Sequence, residues 1–103
     1  MRTLTLQADR QLLTKTGDFS GLVVGSKGYL RLQVNFDDSW AGYKRRAVFT
    51  LEDGGAIAEP LNNNSCTVPD AAAACMTFKV QIVGTYKDRT LNTNSVTIIQ
   101  RRR

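Results

Sequence analysis

The chain is 103 residues long, enough for one domain, and its 42% hydrophobic and 22% charged residues describe a folded globular protein, not a disordered or fibrous one. It contains no histidine, which removes the commonest general base and metal ligand and excludes a Ser-His-Asp or Cys-His nucleophile within the chain. The net charge of +5 is concentrated in Arg101, Arg102 and Arg103, so the body of the domain is a poor candidate for a basic groove.

The N-terminal segment lacks the apolar stretch of a secretory signal, and no run approaches the ~20 apolar residues of a membrane span. Thr3–Leu6 alternates and predicts a first strand. Gly17-Asp18 reads as a turn. Leu22-Val23-Val24, bounded by Gly21 and Gly25, predicts a short strand. The strongest periodic signal follows the turn Gly25-Ser26-Lys27-Gly28. Within Tyr29–Phe36, Leu30, Leu32, Val34 and Phe36 alternate with Arg31, Gln33 and Asn35, the pattern of a strand with one face in a core.

Asp37-Asp38-Ser39 turns the chain into Trp40, which reads as a core residue with its indole N–H bonded to backbone. Adjacent Asp37 and Asp38 read as solvated turn residues. Lys44-Arg45-Arg46 is either a phosphate- or acid-binding cluster or a charged lead-in that protects a strand edge. Ala47–Leu51 predicts a strand, Asp53-Gly54-Gly55 a tight turn, and Ala56-Ile57-Ala58 the returning arm of a hairpin.

Asn62-Asn63-Asn64 is a further turn, and Pro69–Cys75 suits one or two turns of helix. Phe78–Val83 repeats the alternation, with Phe78, Val80 and Ile82 on one face. Tyr86-Lys87-Asp88 is a turn, and Val96–Gln100 a β-branched final strand. The expected core is therefore Leu30, Leu32, Val34, Phe36, Trp40, Phe49, Phe78, Val80 and Ile82. Cys66 and Cys75 do not have zinc spacing and read as buried, inert thiols in a reducing cytoplasm.

These elements predict an all-β, immunoglobulin-like sandwich of about seven short strands with at most one short helical turn. Residues 1–100 form the domain and 101–103 a basic C-terminal tail. No catalytic residue, metal ligand or cofactor is expected. The candidate partner-binding residues are Lys44, Arg45, Arg46, Arg101, Arg102 and Arg103. With no aromatic platform interleaved among these charges, nucleic-acid binding is not expected.

Several segments together resemble a family of small phage and prophage tail-associated proteins of Gram-positive hosts. Phe36-Asp37-Asp38-Ser39-Trp40 with Ala47-Val48-Phe49 is similar to its F-x-x-x-W…A-V-F core. Asn64–Pro69 is similar to N-x-C-x-I/V-P, Phe78–Gly84 to F-x-V-x-I/V-x-G, and Thr93-Asn94-Ser95-Val96 to T-N-x-V. The match spans roughly residues 28–100. The chain departs from the family in having alanines after Pro69, and in stopping before any receptor-binding module, which speaks against host attachment.

The resemblance implies an immunoglobulin-like virion protein of the tail or baseplate, assembled in the bacterial host cytoplasm. Its partners would be other phage structural proteins, or further copies of itself, with no membrane involved. The alternative function is a small phage-encoded inhibitor that binds a host defence protein handling nucleic acid.

Overall fold

A computed structural model describes residues 1–103. The chain forms nine strands: β1 (Arg2–Asp9), β2 (Leu12–Thr16), β3 (Leu30–Phe36), β4 (Lys44–Thr50), β5 (Ala56–Pro60), β6 (Ser65–Thr67), β7 (Thr77–Tyr86), β8 (Arg89–Asn92) and β9 (Val96–Ile99). One turn of 3-10 helix (Asp38–Trp40) follows β3, and one α-helical turn, α1 (Asp70–Ala73), precedes β7. One sheet has the order β2-β1-β3-β6, and the other β5-β4-β7 with β8 and β9 both on the far edge of β7. The molecule is thus an all-β sandwich. The pairs β3–β6 and β4–β7, with β8 and β9 beyond β7, follow the sheet pairing of an immunoglobulin-type fold.

Period two sets the buried faces. Leu4, Leu6 and Ala8 of β1 stand beside Leu32, Val34 and Phe36 of β3 in register. Ala47 and Phe49 of β4 stand beside Ile82 and Val80 of β7, and Phe78 beside Ile98 of β9. Leu30, Leu32, Val34, Trp40, Phe49, Phe78, Val80 and Ile82 are all buried. Phe36 is not: it sits half-buried at the end of the core, packed against Trp40 and with the Arg45 guanidinium over its ring at 4.3 Å.

β1 and β3 pair in parallel. A parallel pair needs a long crossover, here supplied by β2 and the loop 17–29. The expected strand at Leu22–Val24 does not form. Leu22 drops into the core, and Val23 makes one isolated parallel bridge to Arg101. Arg101 is correspondingly not part of a free tail. Its N–H donates to the Leu22 carbonyl at 2.7 Å, and its carbonyl accepts from Val24 at 2.9 Å. Gln100, 2% exposed, donates to the carbonyls of Ala73 and Cys75, satisfying the end of α1 that a helix leaves unpaired.

Thr93 and Asn94 close one side of the sandwich. Between β8 and β9 the Thr93 hydroxyl accepts the Ile82 N–H at 3.0 Å, continuing the ladder where neither strand reaches. The Asn94 side chain imitates a strand against β2, accepting from the Leu13 N–H at 2.7 Å and donating to the Leu13 carbonyl at 3.1 Å. Asn94→Ala should lower stability by about 1–3 kcal/mol, since the backbone groups of Leu13 lose both partners. Hydrogen exchange at the Leu13 amide should accelerate more than at β3 amides; equal acceleration throughout would show that the clamp is not local.

Both cysteines are free thiols. Cys66 is buried, whereas Cys75, expected to be buried, is half-exposed because α1 presents it at the surface after Ala72 and Ala73 turn inward. Burial, reinforced by the Glu59 carboxylate, pushes the Cys66 thiol up from 9.0 to about 11, against the opposing effect of Arg31. The unfolded chain therefore releases this proton first, and stability falls as pH rises from about 9 towards 11. Cys66→Ala should flatten that alkaline slope in a pH series of melting curves. At pH 8 a thiol reagent should modify Cys75 and spare Cys66 until the chain unfolds.

Candidate functional site

The pleat divides the Lys44-Arg45-Arg46 cluster. These residues open β4 instead of preceding it, so Lys44 and Arg46 are exposed on the outer face while Arg45 turns towards the core. Arg45 is engaged inside the fold. It donates to Asn64 Oδ1 and to the Trp40 carbonyl, each at 2.7 Å, and its guanidinium lies on the Phe36 ring. It is therefore a structural residue and not a free contact for a partner.

The two basic segments lie at opposite ends of the sandwich. Lys44 pairs with Thr85 of β7, and Ile99, just before the arginines, pairs with Thr77. The stretch of β7 between them is roughly 26 Å at the usual rise of a strand. Arg102 Nε donates to Met76 Sδ at 3.5 Å, and the Arg103 side chain lies over Gly25. Both are thus laid against the body at the end away from Lys44.

What gathers around Lys44 is aromatic. A chain of rings leads from the core to the surface: Phe36 to Trp40 at 5.1 Å, Trp40 to Tyr43 at 6.2 Å, and Tyr43 to Tyr86 at 5.7 Å between centroids. Trp40 is fully buried and Tyr86 is 36% exposed. Its indole donates to the Arg10 carbonyl at 2.8 Å, and the Asp37 carboxylate accepts the Arg10 N–H at 3.0 Å. Those bonds pin the β1–β2 turn, where Arg10 has a φ of 55°. The Ser39 hydroxyl, aided by the N–H groups of Arg10 and Ser39, holds the Asp37 carboxyl below the usual range despite desolvation.

Two glycines make room for the rings. A Cβ on Gly84 would stand 2.8 Å from Trp40 Cζ3 and 3.2 Å from Tyr43 Cδ2. One on Gly42, whose φ is +82°, would stand 3.4 Å from Tyr86 Cε2. Between the 3-10 turn and the β7–β8 hairpin lies an open notch of about 390 Å³, lined by Ser39, Tyr43, Tyr86, Lys87, Asp88 and Arg89. The Lys87 ammonium sits 5.4 Å from the Tyr86 ring centroid. A second concavity, of about 490 Å³, opens on the other side of Tyr43 beside Lys44, Asn63 and Asn64.

Of the basic residues expected to bind a partner, only Lys44 lies at this end; Tyr86 and Lys87, expected as turn residues, and Arg89, for which no role was expected, join it. The sequence reading also held that no aromatic platform accompanies the basic cluster, because Tyr86 reaches Tyr43 only through the β4–β7 pairing. The residues that carried the family resemblance have structural duties: Trp40 and Gly84 pack together, Asn64 holds Arg45, and Thr93 and Asn94 form the seam. No three His, Cys, Asp or Glu side chains are grouped to hold a metal ion, and no helix is long and apolar enough to cross a membrane. No protein-family model, curated protein or solved structure matches this chain.

Proposed function

We propose that the chain is a non-enzymatic structural protein of a phage particle, placed in the tail or baseplate and acting through protein–protein contacts. The observation that carries a contact function is the exposed end where Tyr43 and Tyr86 are propped on Trp40 and ringed by Lys44, Lys87 and Arg89. Tyrosine and arginine concentrate binding energy at protein interfaces, and rings fixed in advance lose little freedom on docking. The phage setting rests on the sequence resemblance.

Quantitative mass spectrometry of purified virions of the encoding phage tests this reading. A structural component is present in fixed stoichiometric copies in every preparation. Its absence from particles, with recovery instead on a host nucleic-acid-handling protein from infected cells, would favour the inhibitor alternative.

A further inference from the structure

We infer that the Tyr43–Tyr86 end docks a carboxylate-rich segment of another protein, an inference that rests on the protein-contact reading above. Lys44, Lys87 and Arg89 stand around the tyrosine pair, and Asp88 is the sole carboxylate lining the notch. The adjoining sheet face extends this one-sided charge. No outward-facing side chain of β4, β5, β7, β8 or β9 is acidic, while Lys44, Arg46 and Lys79 all project from it. Glu59, the one acidic residue within these strands, lies on the opposite face of β5, paired with buried Ala47. A partner that brings carboxylates to this end therefore meets an excess of cations along the sheet, against Asp88 in the notch and exposed Asp38 in the adjoining 3-10 turn.

The same distribution selects against other occupants. A two-fold contact between copies would set this patch against itself and bring like charges together. A single-stranded nucleic acid needs open aromatic faces along a basic groove. Here Lys87 lies over the Tyr86 ring, Tyr43 is tilted 51° against it, and the remaining arginine cluster lies at the far end of the molecule. A compact tyrosine anchor with a cationic rim suits a short acidic protein segment instead.

Titrating the ¹⁵N-labelled full chain with an oligoglutamate peptide, and separately with oligothymidine of equal charge, tests the inference. Peptide-induced amide shifts should concentrate in residues 42–46 and 84–90 and weaken as salt rises. Tyr86→Ala should weaken peptide binding by about tenfold, as loss of an interface anchor does. Lys44→Gln with Arg89→Gln should do the same, while glutamines at Arg101–Arg103 should leave affinity nearly unchanged. Because these are surface changes, an undisturbed amide spectrum confirms that each variant is folded.

Shifts spread equally over residues 101–103 would reduce the effect to diffuse charge and overturn the inference. So would tighter binding of oligothymidine than of peptide. Introducing Lys44→Glu, Lys87→Glu and Arg89→Glu into the phage separates the two readings. Normal incorporation of that variant would sink the docking site and leave the virion assignment standing. Absence of the unaltered protein from particles, with the peptide map intact, would do the reverse.

Discussion

Trp40→Ala is expected to remove roughly 3–5 kcal/mol of stability, a large part of the ~5–15 kcal/mol available to a small domain. The indole is fully buried, packs on Phe36 and Tyr43, and satisfies the Arg10 carbonyl. Its loss opens a cavity and unties the β1–β2 turn from the aromatic end. Gly84→Ala is expected to be harmful through the same ring. Replacing glycine within a strand ordinarily stabilises slightly by reducing unfolded-state freedom. Here the new methyl would meet Trp40 Cζ3 at 2.8 Å, and forcing it in should cost about 1–3 kcal/mol. In a Trp40→Ala background that penalty should nearly vanish. Urea unfolding of the two single variants and the double variant measures the coupling. Strictly additive costs would show that Gly84 is needed for something other than the ring.

Phe78→Ala is expected to cost roughly 3–5 kcal/mol. Phe78 lies on β7, which pairs with β4 on one side and with β8 and β9 on the other. Its ring meets Phe49 at 6.2 Å between centroids and stands beside Ile98 across the ladder, all three being fully or almost fully buried. Ile99 supplies the control. It follows Ile98 on β9 but is 65% exposed, so Ile99→Ala should change stability by no more than about 0.5 kcal/mol. Comparable losses from Phe78→Ala and Ile99→Ala would mean that the register of β9 on β7 is wrong, since a one-residue slip exchanges the faces.

The Trp40 result also bears on the tyrosine pair. Tyr43 and Tyr86 are held by contact with Trp40, Gly42 and Gly84, so the surface pair is a continuation of the core. A domain that fixes two tyrosines at its surface in this way presents them with little conformational entropy left to lose.

The buried faces of β3, β4 and β7 were legible in the sequence because alternation is local: Leu30, Leu32, Val34, Phe49, Phe78, Val80 and Ile82 announce their side of a strand without knowledge of its neighbours. The absence of histidine was equally plain. The strands β2, β6 and β8 escaped notice because none of them shows apolar alternation. β8 has no buried residue at all, and the strand order of β6 is set by its ladder with β3. Pairing is a non-local choice, made by loop closure and by the packing of both sheets at once. It decided that β1 lies parallel to β3, that Val23 bridges Arg101 in place of forming a strand, and that Arg101 joins the body. It also assembled the aromatic end. The pleat sent Arg45 inward and Lys44 outward, and the β4–β7 ladder set Tyr86 beside Tyr43, a proximity no local pattern encodes because the contact exists only once these two strands, distant in sequence, have paired.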